Sequence, residues 1–223
     1  MASLSDIKYV LFGVQFNHSF KLLDDWGKIA DDILKSEYFG SDFFTNISMQ
    51  YTTERELRNP NTGSALRLTA NNLVFKYYID LDSTFEKEYE LFCNRINKYL
   101  VEKILSTNKL IVRRVGVVFA CELEKEDIVK FAGQYFKDNI VGITDFRFAQ
   151  KEPTSAGQLW RGTDDYINKI FTVGRIEDLE AFQGVTYDFQ LYYKPIQADI
   201  RNKCSGFLKY GLEGFKKDIL NQK

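Results

Sequence analysis

The chain has 223 residues, enough for one large domain or two small ones with a real core. Its 44% hydrophobic and 27% charged content is that of a soluble globular protein. A formal net charge of −1 excludes the global field with which a basic protein holds nucleic acid or an anionic membrane.

The first 16 residues, MASLSDIKYVLFGVQF, lack a basic segment followed by a long apolar run, and no later window approaches a membrane span. The expectation is a cytoplasmic protein with no membrane contact. Cys93, Cys121 and Cys204 are odd in number and far apart, which argues against a disulfide framework or zinc site and for reduced thiols.

In chain order, Tyr9 to Phe16 reads as a strand. LLDDWGKIADDILK, from Leu22 to Lys35, reads as a helix with Leu22, Trp26, Ile29 and Ile33 on one side. Asn46 to Thr52 alternates as a half-buried strand, and NPNTGS around Pro60 is the clearest turn signal in the chain. A short strand with Leu66 and Leu68 precedes a longer one with Leu73, Phe75, Tyr77 and Ile79 on one face. A helix from about Thr84 to Leu105 then presents Phe85, Tyr89, Phe92, Ile96, Tyr99 and Leu100 as its apolar stripe.

The second half begins again with a strand, Ile111 to Phe119. LEKEDIVKFAGQYFK follows as a helix with Ile128, Phe131, Tyr135 and Phe136 inward. Next come a strand with Phe146 and Phe148, a loop from Pro153 to Gly157, and a strand from Tyr166 to Val173. A further strand alternates through Val185, Tyr187, Phe189, Leu191 and Tyr193, and the last helix spans about Ala198 to Leu220.

The two halves echo one another. Gly-Val-x-Phe at Gly13 to Phe16 returns at Gly116 to Phe119, an offset of 103 residues. Phe75 and Tyr78 meet Phe189 and Tyr192 at an offset of 114, and Phe92, Leu100 and Ile104 meet Phe207, Phe215 and Ile219 at 115. The predicted fold is therefore α+β, an internal duplication of a β-α-β-β-β-α unit. Residues 1–108 and 109–223 would form antiparallel sheets with helices on one face, their halves related by a pseudo-twofold axis and making up either one compact domain or two intimately packed ones.

Catalytic signatures are absent. The chain has neither a phosphate-binding GxxxxGK[ST] or GxGxxG nor a zinc-protease HExxH or nucleophile elbow. Its single histidine, His18, falls in a turn, where it lacks an orienting carboxylate. Asp80 and Asp82 could share a face and hold magnesium, but a strand end entering a helix at Thr84 equally favours acids as caps. The pairs Asp24/Asp25, Asp31/Asp32 and Asp164/Asp165 read as solvated faces or turns, and Lys194 and Ile196 stand where a duplicated Asp80/Asp82 site would fall.

For nucleic acid, KLIVRR (Lys109 to Arg114) with Arg147, Trp160 and Arg161 is the basic and aromatic stretch, but Arg113 and Arg114 point to opposite faces of a strand. Nucleic acid is not the favoured partner. The pairs Tyr77–Tyr78 and Tyr192–Tyr193 each put one ring toward the helices and the other away. Tyr78 and Tyr192 are the candidate ligand or interface residues on the helix-free surface.

Leu11 to Phe16, Leu73 to Leu100 and VRRVGVVF (Val112 to Phe119) resemble a sporadically distributed family of uncharacterised bacterial proteins. Their mid-chain strand carries an Arg-Ile-Gly-Leu-Arg-Tyr-like motif, with Val118 here in place of the second Arg. The resemblance implies a bacterial origin and an α+β fold, and assigns no functional residue. Together these readings predict a non-catalytic interaction module, a homo-oligomer or the partner of another protein, with a stress or phage-defence locus as its expected setting and no cofactor or metal assigned. The alternative is a small-molecule or nucleotide binder, or an enzyme, using the cleft between halves.

Overall fold

The computed structural model describes residues 3–40, 42–51, 53–80, 82–108, 110–135, 146–153, 166–176, 179–192 and 200–221, with backbone alone at 48–51, 153, 176, 179–182 and 200–203. Thr52, Lys109, Phe136, the loop at 154–157, Trp160, Arg161, Asp164, Asp165, Tyr193, Lys194, Ile196 and Ala198 lie outside the described residues.

A short 3-10 turn leads into β1 (Ile7–Phe16), followed by α1 (Phe20–Asp24) and α2 (Trp26–Leu34). Val10, Phe12, Val14 and Phe16 are buried along β1, the period-two pattern of a strand with one face on a core. In α2, Trp26, Ala30 and Ile33 recur at helical spacing and are buried. One helix was predicted from Leu22 to Lys35. The backbone at Asp25 (φ −80°, ψ 3°) leaves the helical region and splits it in two.

Four strands follow: β2 (Asn46–Tyr51), β3 (Glu54–Arg58), β4 (Ala65–Thr69) and β5 (Asn72–Tyr78). α3 (Phe85–Asn94) widens beyond Asn94 into π-helical turns over Arg95–Ser106. The second half contains β6 (Val112–Glu122), α4 (Lys125–Tyr135), β7 (Phe146–Pro153), β8 (Tyr166–Ile176), β9 (Leu179–Tyr192) and α5 (Ile200–Phe215). α5 likewise ends in π-helical turns, Lys216–Leu220.

Among the described residues the nine strands form one antiparallel sheet in the order β2-β3-β4-β5-β1-β6-β9-β8-β7. Two expectations are corrected here. The halves do not form separate sheets, because β1 pairs directly with β6 along its length, from Ile7 opposite Cys121 to Phe16 opposite Val112. Nor, among the described residues, do the halves hold equal numbers of strands. β3, ERELR, is an additional strand whose one buried apolar side chain, Leu57, sits opposite Leu66 of β4.

One sheet face meets the helices. Phe75 stacks on Phe92 of α3 (5.6 Å between ring centroids), Phe119 on Phe215 of α5 (4.9 Å), and Phe171 packs against Phe131 of α4 (5.8 Å). These rings belong to one buried cluster that draws on both halves, so the core does not divide at residue 108. The Tyr89 hydroxyl in α3 donates to the Leu208 carbonyl in α5 at 2.8 Å, tying the two long helices together.

Beneath the C-terminal turns, the Lys169 ammonium, 7% exposed, contacts carboxylates of Glu152 (2.9 Å) and Asp218 (3.0 Å). The Tyr187 hydroxyl donates to Asp218 at 3.0 Å. Burial pulls the Lys169 pKa down, yet the bonds to Glu152 and Asp218 outweigh it and hold it above 10.5. The β6–β9 pair closes tightly at Gly184, where a Cβ would lie 2.0 Å from the Cys121 carbonyl oxygen.

Candidate functional site

The second sheet face carries the alternate residues of each strand. Tyr77 is buried on the helix side, where its hydroxyl bonds Glu88 and burial pushes its pKa up to about 12. Tyr78 points the other way and is half-buried. Tyr192 likewise alternates with buried Leu191 and lies on this second face. Both predicted residues thus share the face that the helices leave.

They do not share a site. Tyr78 is opposite Tyr9 of β1, whereas Tyr192 is opposite Arg114, itself opposite Gln15 of β1. Positions 9 and 15 are six residues apart along one strand, roughly 20 Å at about 3.4 Å per residue. The two tyrosines mark opposite ends of the face.

At the first end, the Tyr9 and Tyr78 rings lie 5.4 Å apart, and the Lys76 ammonium sits 4.0 Å above the Tyr9 ring and 5.0 Å from that of Tyr78. Tyr9, only 5% exposed, forms with Ala120 and Tyr78 a small apolar cluster separate from the main core. Beside Tyr78 opens a groove of about 560 Å³ whose charged lining is Glu56, Arg58, Arg67 and Lys76. Arg67 is held by Glu54 (3.1 Å) and Glu56 (2.8 Å).

The groove's far wall is the turn between β3 and β4. Its amide donors are already satisfied: the buried Asn59 Oδ1 accepts from the Asn61 and Thr62 N–H groups at 2.9 and 3.1 Å, and the Asn59 carbonyl accepts from Gly63 N–H at 2.8 Å. Ser64, fully buried, accepts at Oγ from the Tyr78 N–H (3.1 Å) and from the Thr62 hydroxyl (3.0 Å). Gly63 takes φ +82°, and a Cβ there would press the Tyr78 ring at 3.0 Å. Turn and tyrosine are locked together.

At the second end, Tyr192 stacks on Tyr166 at 4.7 Å with a 6° interplanar angle, and the Lys151 ammonium lies 3.9 Å from the Tyr166 ring centroid. The Arg114 guanidinium reaches the Tyr192 hydroxyl at 3.4 Å. That hydroxyl donates to Gln190 Oε1 at 2.8 Å, and Gln190 Nε2–H donates to Asp188. Burial raises the Asp188 carboxyl from 3.8 to about 6, against the opposing pull of Gln190, Arg114 and Arg147. The rings of Tyr78 and Tyr192 were legible from alternation. Asp188, Gln190 and the groove were not, since NPNTGS read only as a turn.

The remaining candidates separate. β5 ends at Tyr78, so Asp80 and Asp82 do not extend the strand. The Asp80 side chain accepts from the Asp82 N–H at 3.0 Å, closing a turn, and both residues are exposed. The Thr84 side chain makes no cap bond, and no group of three metal-ligating side chains occurs among the described residues. His18 is exposed, 6.4 Å from the Phe20 ring. Arg113 falls at the register shift between Gln15 and Phe16 and is exposed, whereas Arg114 joins Tyr192.

Cys93, Cys121 and Cys204 are free, and burial lifts all three thiols, Cys93 and Cys121 to about 12. These are poor nucleophiles at neutral pH. Among the described residues no helix is long and apolar enough to cross a membrane. No protein-family model matches the chain, and no curated protein is significantly similar to it.

Proposed function

We propose that the chain is a non-catalytic interaction module of a bacterial cytosol, homo-oligomeric, that meets other protein through the helix-free face of its sheet. The observation that carries this is the ordering of that face. Each end holds a pair of tyrosine rings with a lysine over one of them, Tyr9–Tyr78 with Lys76 and Tyr166–Tyr192 with Lys151. Tyr9 is buried beneath this face, but Tyr78, Tyr166 and Tyr192 are half-buried on it; tyrosine supplies contact area at low entropic cost, and rings held this way are pre-organised for protein contact.

The reading extends to an origin by duplication. A twofold relating position 13 to position 116 in an antiparallel pair must pass through that pair, and Gly13 is the direct cross-strand partner of Gly116. Phe92 and Phe207, Leu100 and Phe215, and Ile104 and Ile219 are all buried at matched places, and both terminal helices widen into π turns. On this reading Tyr78 and Tyr192 are twins whose neighbours diverged: Lys76 and Val74 stand where Gln190 and Asp188 stand in the second half, and Tyr9 where Val112 stands.

Light scattering on the purified chain tests the function. The expected result is a mass that is a multiple of 26.0 kDa, reduced in Tyr78→Asp and Tyr192→Asp variants that keep the parent circular dichroism. A monomer that carries a bound metabolite in native mass spectrometry overturns the proposal in favour of a small-molecule binder.

A further inference from the structure

The second end of the helix-free face gathers three cations, Arg114, Lys151 and Arg147. Arg114 of β6, Tyr192 of β9 and Tyr166 of β8 are cross-strand neighbours, and Lys151 of β7 reaches over the Tyr166 ring. The four side chains make one row of ammonium, two stacked rings and guanidinium. Arg147 shares the face with Lys151, since both alternate with Phe148, which packs against Phe131 on the helix side. Lys151 and Arg147 are exposed and Arg114 is half-buried. Among the described residues no carboxylate pairs with any of the three, and Glu152, beside Lys151, is turned to the helix side and bonded by Lys169. Asp188, on the same face, is bonded by the buried Gln190 and feels both Arg114 and Arg147, neither of which bonds it. Three cations around one half-buried carboxyl leave this end with an excess of positive charge.

We infer that this end receives an extended acidic segment of a partner polypeptide, its carboxylates met by Arg114, Lys151 and Arg147 across the Tyr166–Tyr192 stack. The assignment rests on the reading of this face as an interaction surface and adds the chemistry of what docks there. The spacing of the cations suits an extended chain. Arg114 stands three inter-strand steps from β7, roughly 14 Å at about 4.8 Å each, and Lys151 is four residues from Arg147, roughly 13 Å at about 3.3 Å each. Both spans match residues i and i+4 of an extended peptide, whose side chains leave on the same side. A small anion cannot bridge cations this far apart. A nucleic-acid strand fits less well, because its bases need open ring faces. Here the Tyr166 and Tyr192 rings are pressed together at an interplanar angle of 6°, and Lys151 covers Tyr166. A phosphodiester backbone also brings only acceptors to Asp188, where a peptide backbone brings N–H donors.

Fluorescence anisotropy with a fluorescein-labelled hexaglutamate, at about 20 mM salt, tests the assignment. The expected result is saturable binding, weakened at least tenfold in Arg147→Glu and in Lys151→Glu, and unchanged in Lys28→Glu on the opposite, helix side of the molecule. Labelled diglutamate, too short to join two of the cations, should bind at least tenfold more weakly than hexaglutamate. Thermal melts accompany each variant, and Arg147→Ala serves as a milder second substitution at an exposed position. Absence of binding overturns the inference, as does equal loss in Lys28→Glu, which would mean diffuse attraction. Diglutamate that binds as tightly as hexaglutamate, or displacement of the peptide by micromolar inorganic phosphate, would make this a small-anion site and also overturn it. Tighter binding of hexathymidylate than of hexaglutamate would give the surface to nucleic acid instead. Collapse of the oligomer in Arg147→Glu would reassign it to a second copy. Failure of the peptide while the Tyr78 and Tyr192 variants still lower the mass would sink the acidic chemistry and leave the interaction face standing.

Discussion

Replacing Asp188 by Asn removes one charge from the helix-free face, and the cost of that charge follows from its surroundings. The carboxyl lies over Gly116, where a Cβ would come within 3.7 Å of Oδ1, and is bonded by Gln190. Its pKa is raised from 3.8 to about 6 by burial, so the folded chain binds the proton more tightly than the unfolded chain does. The contribution to stability is full below pH 4 and is lost as pH rises through 6. A shift of a little over two units corresponds to about 3 kcal/mol at pH 8, at about 1.36 kcal/mol per unit. Asn carries no charge and its carbonyl oxygen still accepts from Gln190, so D188N avoids this loss.

Urea denaturation at pH 4, 6 and 8 reads the difference. The two proteins should match at pH 4 and diverge until D188N is the more stable by up to about 3 kcal/mol at pH 8, roughly 6–12 °C in melting temperature for a chain of this size. A D188N chain no more stable than its parent at pH 8 would refute the reasoning. It would mean that attraction to Arg114 and Arg147 outweighs burial.

Two further substitutions probe how the sheet is closed on its helices. Asp218→Asn should destabilise the fold by about 3 kcal/mol, because it leaves the 7%-exposed Lys169 ammonium with only the Glu152 carboxylate, which is 44% exposed; chemical denaturation measures it. A combined Lys169→Met and Asp218→Leu exchange, which removes both charges, should recover most of that loss in the same assay. Gly184→Ala should cost about 3 kcal/mol or more, since its Cβ would lie 2.0 Å from the Cys121 carbonyl oxygen. Accelerated amide exchange along the β6–β9 pair is the accompanying signature.

What could be read from the sequence follows the physics of each signal. Period-two alternation in FKYY and TYDFQLY places Tyr77 and Tyr187 toward the helices and Tyr78 and Tyr192 away, and the structure keeps that assignment, because a slip of one residue would expose Phe75 and Phe189. ERELR gave no such signal. Its alternation is between charges and a single leucine, which reads as a solvated loop, and only pairing with β2 and β4 makes it a strand. The separation into two sheets failed for a related reason. Apolar alternation says which face of a strand is buried but not which strand lies beside it, and Gly13 opposite Gly116 is a matter of register.

The same limit governs the face that matters most. Asp188, read alone, is a polar residue on the open side of a strand, the commonest place for a solvated carboxylate. It becomes a half-buried one because Gly116 beneath it lacks a side chain and Gln190 and Arg114 close around it from their own strand and the neighbouring one. Arg58, Arg67 and Lys76 likewise sit on three different strands, and their separation in sequence hides that they line one groove, where two carboxylates meet Arg67. Charge acquires functional meaning here only through cross-strand neighbours. A net charge of −1 therefore excludes a global field and says nothing of which charges meet across neighbouring strands.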